Sequence, residues 1–430
     1  MQLFILICMF LFPLSLSGQI GWTEHPIATG YMFATWVYAI DLDQDNDMDV
    51  LGSAYEDNEI TWWENDGSQN FTEHTIDDNF GGAYCVHAID IDGDTDIDVV
   101  GAAVIDSAIA WWENDGSENF TMHTLTTTFD AAISVYAIDI EPDGDVDIVG
   151  ASNYGGEIDW WENDGNENFT QHTVGVGLNG AWGLYACDLD GDTDIDVLGA
   201  GIYANSIKWY ENDGSENFTE RSVVNGFTQA CGVYATNIDD DADVDVLGAA
   251  QGMDRISWFE NDGNENFVQH IIDNSFGHAR AVFAIDVNDD NDVDVLGAAF
   301  LGHEFAWWEN DGYENFLKHT IAVNDTGATA VYAADVDSDG DVDILGASSG
   351  KDKIAWWESD LIGIEEGGRA VISERHLFPT IITGQIHLRN DINFKLYDIS
   401  GREINDDHLK SGVYFLEIEG EVIQKIIRIR

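Results

Sequence analysis

The segment DLDQDNDMD, from Asp41 to Asp49, places an aspartate at every second position. On a β-strand all five would share one face, where like charges repel. The pattern returns as DIDGDTDID from Asp90, DIEPDGDVD from Asp139, DLDGDTDID from Asp188, NIDDDADVD from Asn237, DVNDDNDVD from Asp286 and DVDSDGDVD from Asp335. Successive copies start 49 residues apart. Seven copies at one fixed period define the architecture, because each repeat must be a structural unit that packs on the next.

Each unit holds four short strand-prone stretches separated by Gly, Asn and Asp turn signals. In the first they are VYAI (37–40), DVLGSA (49–54), ITWWEND (60–66) and NFTEHTI (70–76). Adjacent tryptophans such as Trp62 and Trp63 must point to opposite faces of a strand, so both faces of each small sheet need an apolar cover. The neighbouring unit supplies it. Four-stranded sheets stacked face to face around an axis make an all-β, seven-bladed β-propeller. The last unit stops at KIAWWESD (353–360) and lacks its fourth strand, whereas the chain opens with GWTEHPI (21–27), which aligns with NFTEHTI. The N-terminal strand is therefore expected to complete the seventh blade. An open solenoid would leave sheet edges bare.

A curled nine-residue loop explains the aspartates better than a strand. Calcium takes six to eight oxygen ligands, and side chains at loop positions 1, 3, 5 and 9 converge when the chain curls, with position 7 offering its carbonyl. The expected ligands are Asp41, Asp43, Asp45 and Asp49, with Asp47 in the carbonyl role, then Asp90, Asp92, Asp94 and Asp98. The third and fourth loops supply Asp139, Glu141, Asp143, Asp147 and Asp188, Asp190, Asp192, Asp196. The last three supply Asn237, Asp239, Asp241, Asp245; Asp286, Asn288, Asp290, Asp294; and Asp335, Asp337, Asp339, Asp343. Up to seven calcium ions are expected, one per blade. An EF-hand would need a bidentate Glu at position 12, where Gly stands in every copy, from Gly52 to Gly346. Magnesium prefers to keep its waters and fits less well. Gly occupies position 6 only in the third and seventh loops (Gly144, Gly340), so affinities should differ.

Asp and Glu number 82 against 16 Lys and Arg, a formal net charge of −66. Such a surface repels nucleic acid and anionic membrane, and calls for cations. With 44% hydrophobic residues the chain is nonetheless globular. Residues 1–18 read as a secretory signal peptide, an apolar run closing on Ser15, Ser17 and Gly18. No later stretch has eighteen uninterrupted apolar residues, so no transmembrane span is expected in the mature chain. Cys85, Cys187 and Cys231 are expected as buried free thiols.

Other recurring residues read as structural. His25, His74, His123, His172, His270 and His319, with Arg221 in the fifth place, mark one strand position in separate blades, too far apart to share a metal. The NFT segments at Asn70, Asn119, Asn168 and Asn217 match the glycosylation sequon but read more simply as the turn-and-strand start that every unit needs, since two units carry NFV and NFL at the same place. Trp36 and Trp182 fall outside the repeat, are placed ahead of the first strand, and are candidate ligand contacts. No nucleophile–base constellation stands out, so an enzyme is not expected. The links after the second strand vary freely, from YEDNE to SSGKD, and mark the partner-facing rim.

The acidic loop followed by VLGA, at this four-strand period, resembles the FG-GAP or VCBS repeats of integrin-α-like propellers over residues 19–360. That resemblance implies metal loops joining the first two strands of each blade, with ligands at the opposite rim or between blades. WWENDG departs from the integrin pattern, so integrin ligands do not carry over. After a linker at 361–370, residues 371–430 carry LYDISGREI, LKSGVYFLEI and a closing KIIRIR. These resemble the type A C-terminal sorting domain of the Bacteroidetes type IX secretion system, with FPT (378–380) where that family has Pro-Asn-Pro. The resemblance implies a small β-sandwich, the type IX machinery as a partner, and a secreted or outer-surface location. The expected function is a calcium-binding module for glycan or cell-surface polymer. A structural or adhesive protein with protein partners and a polysaccharide-active enzyme are the alternatives.

Overall fold

A computed structural model describes residues 20–361 and, beyond them, eight short strands between Ile364 and Arg428. The expected signal peptide lies outside the described residues. Blade one comprises β2 (Ala34–Ile40), β3 (Asp49–Ala54), β4 (Glu59–Asn65) and β5 (Phe71–Asp77), antiparallel in that order. Five further sheets repeat it. In the seventh, Ala328–Ala334, Asp343–Ser348 and Lys353–Ser359 are completed by β1 (Trp22–Thr29). The register runs from Trp22 opposite Ser359 to Thr29 opposite Lys353, so the N-terminal strand closes the ring as expected. Apart from a 3-10 turn at Gln251–Met253, the described propeller is all β. Among the described residues no helix is long and apolar enough to cross a membrane.

The Trp pairs hold the ring together. Trp63 packs with Leu345, Ala347, Ile354 and Trp356 of blade seven, whereas Trp62 packs with Phe80, Ala83, Val99 and Trp112 of blade two. Burying one indole removes roughly 150–250 Å² from water, on the order of 5 kcal/mol of transfer free energy before entropy is counted. Covered on both faces, β3 is buried along its whole length. Gly52 is required there: a Cβ would stand 2.4 Å from Ile354 Cδ1 and 3.0 Å from Trp63 Cζ3. The glycine at loop position 12 thus serves the contact between blades.

Polar stitches tie each acidic loop into this core. Asn65 Nδ2 donates to the Met48 carbonyl of its own blade (3.2 Å) and to the Val336 carbonyl of blade seven (3.1 Å). Asn163, Asn261 and Asn310 repeat the stitch to Ile91, Leu189 and Ile238.

The C-terminal strands belong to a second compact unit. Thr380–Ile382, Glu421–Arg428, Gly412–Ile418, Phe394–Asp398 and Glu403–Ile404 form one sheet in that order. Ile364–Glu365, Arg369–Ala370 and Gln385–Ile386 form another, so the expected linker itself carries two short strands.

Candidate functional site

Each acidic loop joins the first two strands of its blade. Carboxylate oxygens of Asp41, Asp43 and Asp45 come within 4.8 Å of one another, as do those of Asp90, Asp92, Asp94 and of Asp188, Asp190, Asp192. Backbone N–H groups curl the loop around them. Asn46 donates to Asp41 (3.0 Å), Asp45 to Asp43 (3.2 Å) and Asp47 to Asp45 (2.9 Å). The same fifth-residue bond reaches Asp139, Asp286 and Asp335 from Gly144, Asn291 and Gly340. In the fifth loop Asn237 Oδ1 instead accepts from the Asp240 N–H (2.9 Å), and Asp239 and Asp241 accept from N–H groups two residues on. Asn288, Asp290, Asp337, Asp339 and Asp143 accept in the same two-residue pattern.

The ninth position does different work. Asp49 is buried, with Oδ2 accepting from Leu42 N–H (2.9 Å) and Oδ1 from Asn65 N–H (2.8 Å). It staples the loop to β4, and Asp98, Asp147, Asp196, Asp245, Asp294 and Asp343 repeat both bonds. Burial pushes the Asp49 carboxyl up to about 7; the two N–H donors pull it down, and Asp43 and Asp45 push it up further. In the third loop the longer Glu141 reaches Asp147.

These residues fit a calcium ion. Asp41 Oδ1, Asp139 Oδ1 and Glu141 Oε2 are buried without a hydrogen-bond partner, in an all-oxygen donor set. Side chains at positions 1, 3 and 5 would hold the ion, with the second lone pairs of the ninth-position carboxylate behind them. Bound calcium would supply the positive charge that the clustered carboxylates lack.

The β4–β5 turn shares this rim: at Gly67, with φ of 70°, a Cβ would stand 2.4 Å from Asp47 Oδ2. Its Asn70 Nδ2 donates to Asp66 (3.0 Å), the turn role expected of NFT. At the opposite rim the variable links meet the inter-blade connections, where Phe80 N–H donates to the Asn58 carbonyl (2.9 Å). There the link tips Ile105, Tyr154, Tyr203 and Leu301 are 59%, 70%, 63% and 58% exposed. The recurring histidines are structural: His74 stacks on Trp62 at 4.7 Å and meets Glu64 at 2.8 Å, and Arg221 takes this place over Trp209.

The first strands line an axial channel. Tyr38, His87, Tyr136, Tyr185, Tyr234, Phe283 and Tyr332, one per blade, form a closed ring with neighbouring centroids 4.6–5.2 Å apart. Toward the variable rim lies a cavity of about 130 Å³. The sequence places Trp36 and Trp182 ahead of the first strand; both in fact lie within it and line this cavity. A bulge near the start of the strand accounts for the difference: pairing skips from Ala34 to Trp36 and from Ala181 to Gly183. Sequence reasoning missed Tyr84 and Arg280, which line the same cavity. Their signal was available, since Tyr84, Trp182 and Arg280 occupy one repeat position that carries unlike residues in every blade but two. Cys187 is partly exposed, whereas Cys85 and Cys231 are buried as expected.

Seven four-stranded sheets, a shared loop rim and an axial channel define a β-propeller. The FG-GAP-like repeat model matches residues 41–101, 90–150, 139–199 and 286–346, about half the chain, and the protein belongs to that family. No curated protein matches the sequence. Among solved structures, virginiamycin B lyase from Staphylococcus aureus is similar, with TM-score 0.57 and 14% identity over 79% of this chain and 99% of that one. BBS1N in complex with ARL6DN gives 0.55 and 14% over 79% and 96%. A lectin from Agrocybe aegerita, described as recognising non-reducing terminal N-acetylglucosamine, gives 0.47 and 19% over 67% and 80%. At these identities the likeness concerns the fold alone.

Proposed function

We propose that the chain is an exported, calcium-stabilised binding module that holds a glycan or other cell-surface polymer on the rim opposite its acidic loops. The observation that carries this reading is the exposed apolar tips on that rim, three of them on consecutive blades: Ile105, Tyr154 and Tyr203. Singly exposed apolar residues are ordinary, but these stand at one repeat position of successive blades and so offer a partner repeated contacts along the rim. Tyr154 and Tyr203 offer flat faces to sugar rings, with hydroxyls free to hydrogen-bond. Calcium, up to one ion per blade, fixes the other rim so that the scaffold stays rigid. The sorting-domain motifs of the tail favour passage through the type IX machinery to the outer surface or medium. A second reading, protein-mediated adhesion, draws on the aliphatic tips Ile105 and Leu301.

A glycan array probed with the full chain, first with calcium and then with chelator, tests the reading. Calcium-dependent binding to one sugar class, lost in a Tyr154→Ser/Tyr203→Ser variant, would support it. Silence from folded, calcium-loaded protein would reject the glycan and leave the protein partner.

A further inference from the structure

We propose that the mouth of the axial channel is a second binding site, separate from the rim tips, for a carboxylate carried on a six-membered ring. The site is made by a first-strand position at which the repeat varies. Three residues further along, every blade carries an aromatic residue. At the bulge itself the blades carry Thr35, Tyr84, Ile133, Trp182, Cys231, Arg280 and Thr329. The register shift at this point recurs in all seven blades. A bulge frees the skipped residue from the pleat and re-aims its side chain. Tyr84, Trp182 and Arg280, from blades two, four and six, meet as a result.

Arg280 is the key group. Of the seven basic residues between 20 and 361, five sit in ion pairs: Lys208, Arg221, Lys318, Lys351 and Lys353. In a chain so rich in carboxylates, Arg280 has none among the described residues. Its guanidinium donates to Tyr84 Oη. It lies 5.2 Å from the Trp182 ring, 4.8 Å from Phe300 and 6.0 Å from Tyr84, within cation–π range of all three. A guanidinium has five N–H donors in a planar fork that matches a carboxylate, and among the described residues one of them is used. Tyr84 and Trp182 pack edge to face at 5.6 Å and offer apolar walls.

The size of the cavity limits what enters. A dry cavity of ~150 Å³ takes one benzene ring, so about 130 Å³ admits a single ring rather than a chain. Charge limits it further. The net −66 disfavours a polyanion, but at physiological salt charges beyond about 8 Å are largely screened and one carboxylate can reach Arg280. A terminal hexuronic acid and an aromatic acid share this chemistry.

Calorimetric titration of the calcium-loaded full chain with D-glucuronate, benzoate and D-glucose separates the sources. At least one acid should bind about tenfold more tightly than glucose, roughly the value of one charge-assisted contact. Glucuronate alone assigns a sugar acid; benzoate alone assigns an aromatic one. Arg280→Gln should lose that preference, and Arg280→Lys, which keeps the charge but not the fork, should weaken it. Tyr154→Ser/Tyr203→Ser should leave it unchanged, so failure of the rim reading and failure of this one are distinguishable. Thermal melts confirm that each variant folds, and Arg280→Lys decides the matter if Arg280→Gln does not. Equal binding of acid and glucose, no binding of either acid, or wild-type affinity in the Arg280 variants would overturn the proposal.

Discussion

His87 should weaken the fold in acid, and replacing it with phenylalanine should abolish that weakness. It sits in the axial ring between Tyr38 at 5.0 Å and Tyr136 at 4.6 Å, with Nδ1 lacking a hydrogen-bond partner. The titratable groups against it are these two phenols, both pushed up by burial, Tyr136 to about 12. Burial alone lowers the imidazole from the usual 6.5 to about 4. As pH falls below 6.5 the unfolded chain takes up the proton first, so stability declines until the folded pKa is passed and is level below it. At about 1.36 kcal/mol per unit the full loss is about 3 kcal/mol, of which about 2.5 has appeared by about pH 4.5. Phe283 fills the same ring position in blade six, so His87→Phe conserves the packing. Urea melts of both proteins across this range should diverge by that amount, with carboxylate titrations common to the two cancelling in the difference. Parallel curves would refute the reasoning and place the imidazole in contact with water.

Chelation should lower the melting temperature of the propeller, because stripped loops leave their carboxylates in mutual repulsion; restored calcium should reverse the loss more fully than magnesium. Asp325→Ala should cost about 3–5 kcal/mol in denaturant melts, since it leaves Lys353, buried and 2.6 Å from Asp325, without its buried partner. Glu24→Gln, at the exposed end of the same lysine, should cost under about 1 kcal/mol. Gly52→Ala should destabilise by about 1–3 kcal/mol through overpacking, and Ile354→Val should recover part of that loss in a double-mutant cycle by removing the methyl that the new Cβ meets.

The repeat made the architecture legible. Seven matched copies revealed seven blades, the borrowed β1 and the loop rim, because alignment of a chain with itself detects whatever every blade must do. It detects poorly what only one blade does. Tyr84, Trp182 and Arg280 stand 98 residues apart in sequence and meet across the axis, so no local pattern joins them. The bulge that turns them inward lies where Trp36 and Trp182 read as preceding the strand. The ninth loop residue is a subtler case. Spacing groups Asp49 with Asp41, Asp43 and Asp45, yet its burial and its second bond depend on β4, whose Asn65 lies sixteen residues further on.

The closure of the ring has a mechanical consequence. Joining Trp22 to Ser359 closes a loop of more than three hundred residues, an entropic cost on the order of 5 kcal/mol. Eight residues of β1 and the Lys353 ion pairs to Glu24 and Asp325 must offset it. Trp22 and Ser359 face one another at the same end of an antiparallel pair, with hydrogen bonds perpendicular to the strands. Tension applied across these two residues would therefore break the bonds one at a time, as a zipper opens, beginning at Trp22. Tension between a rim-bound ligand and Ser359 alone would leave β1 unpulled. A module tethered through its C-terminal side can therefore bear load that would open the same ring if it were held from both ends.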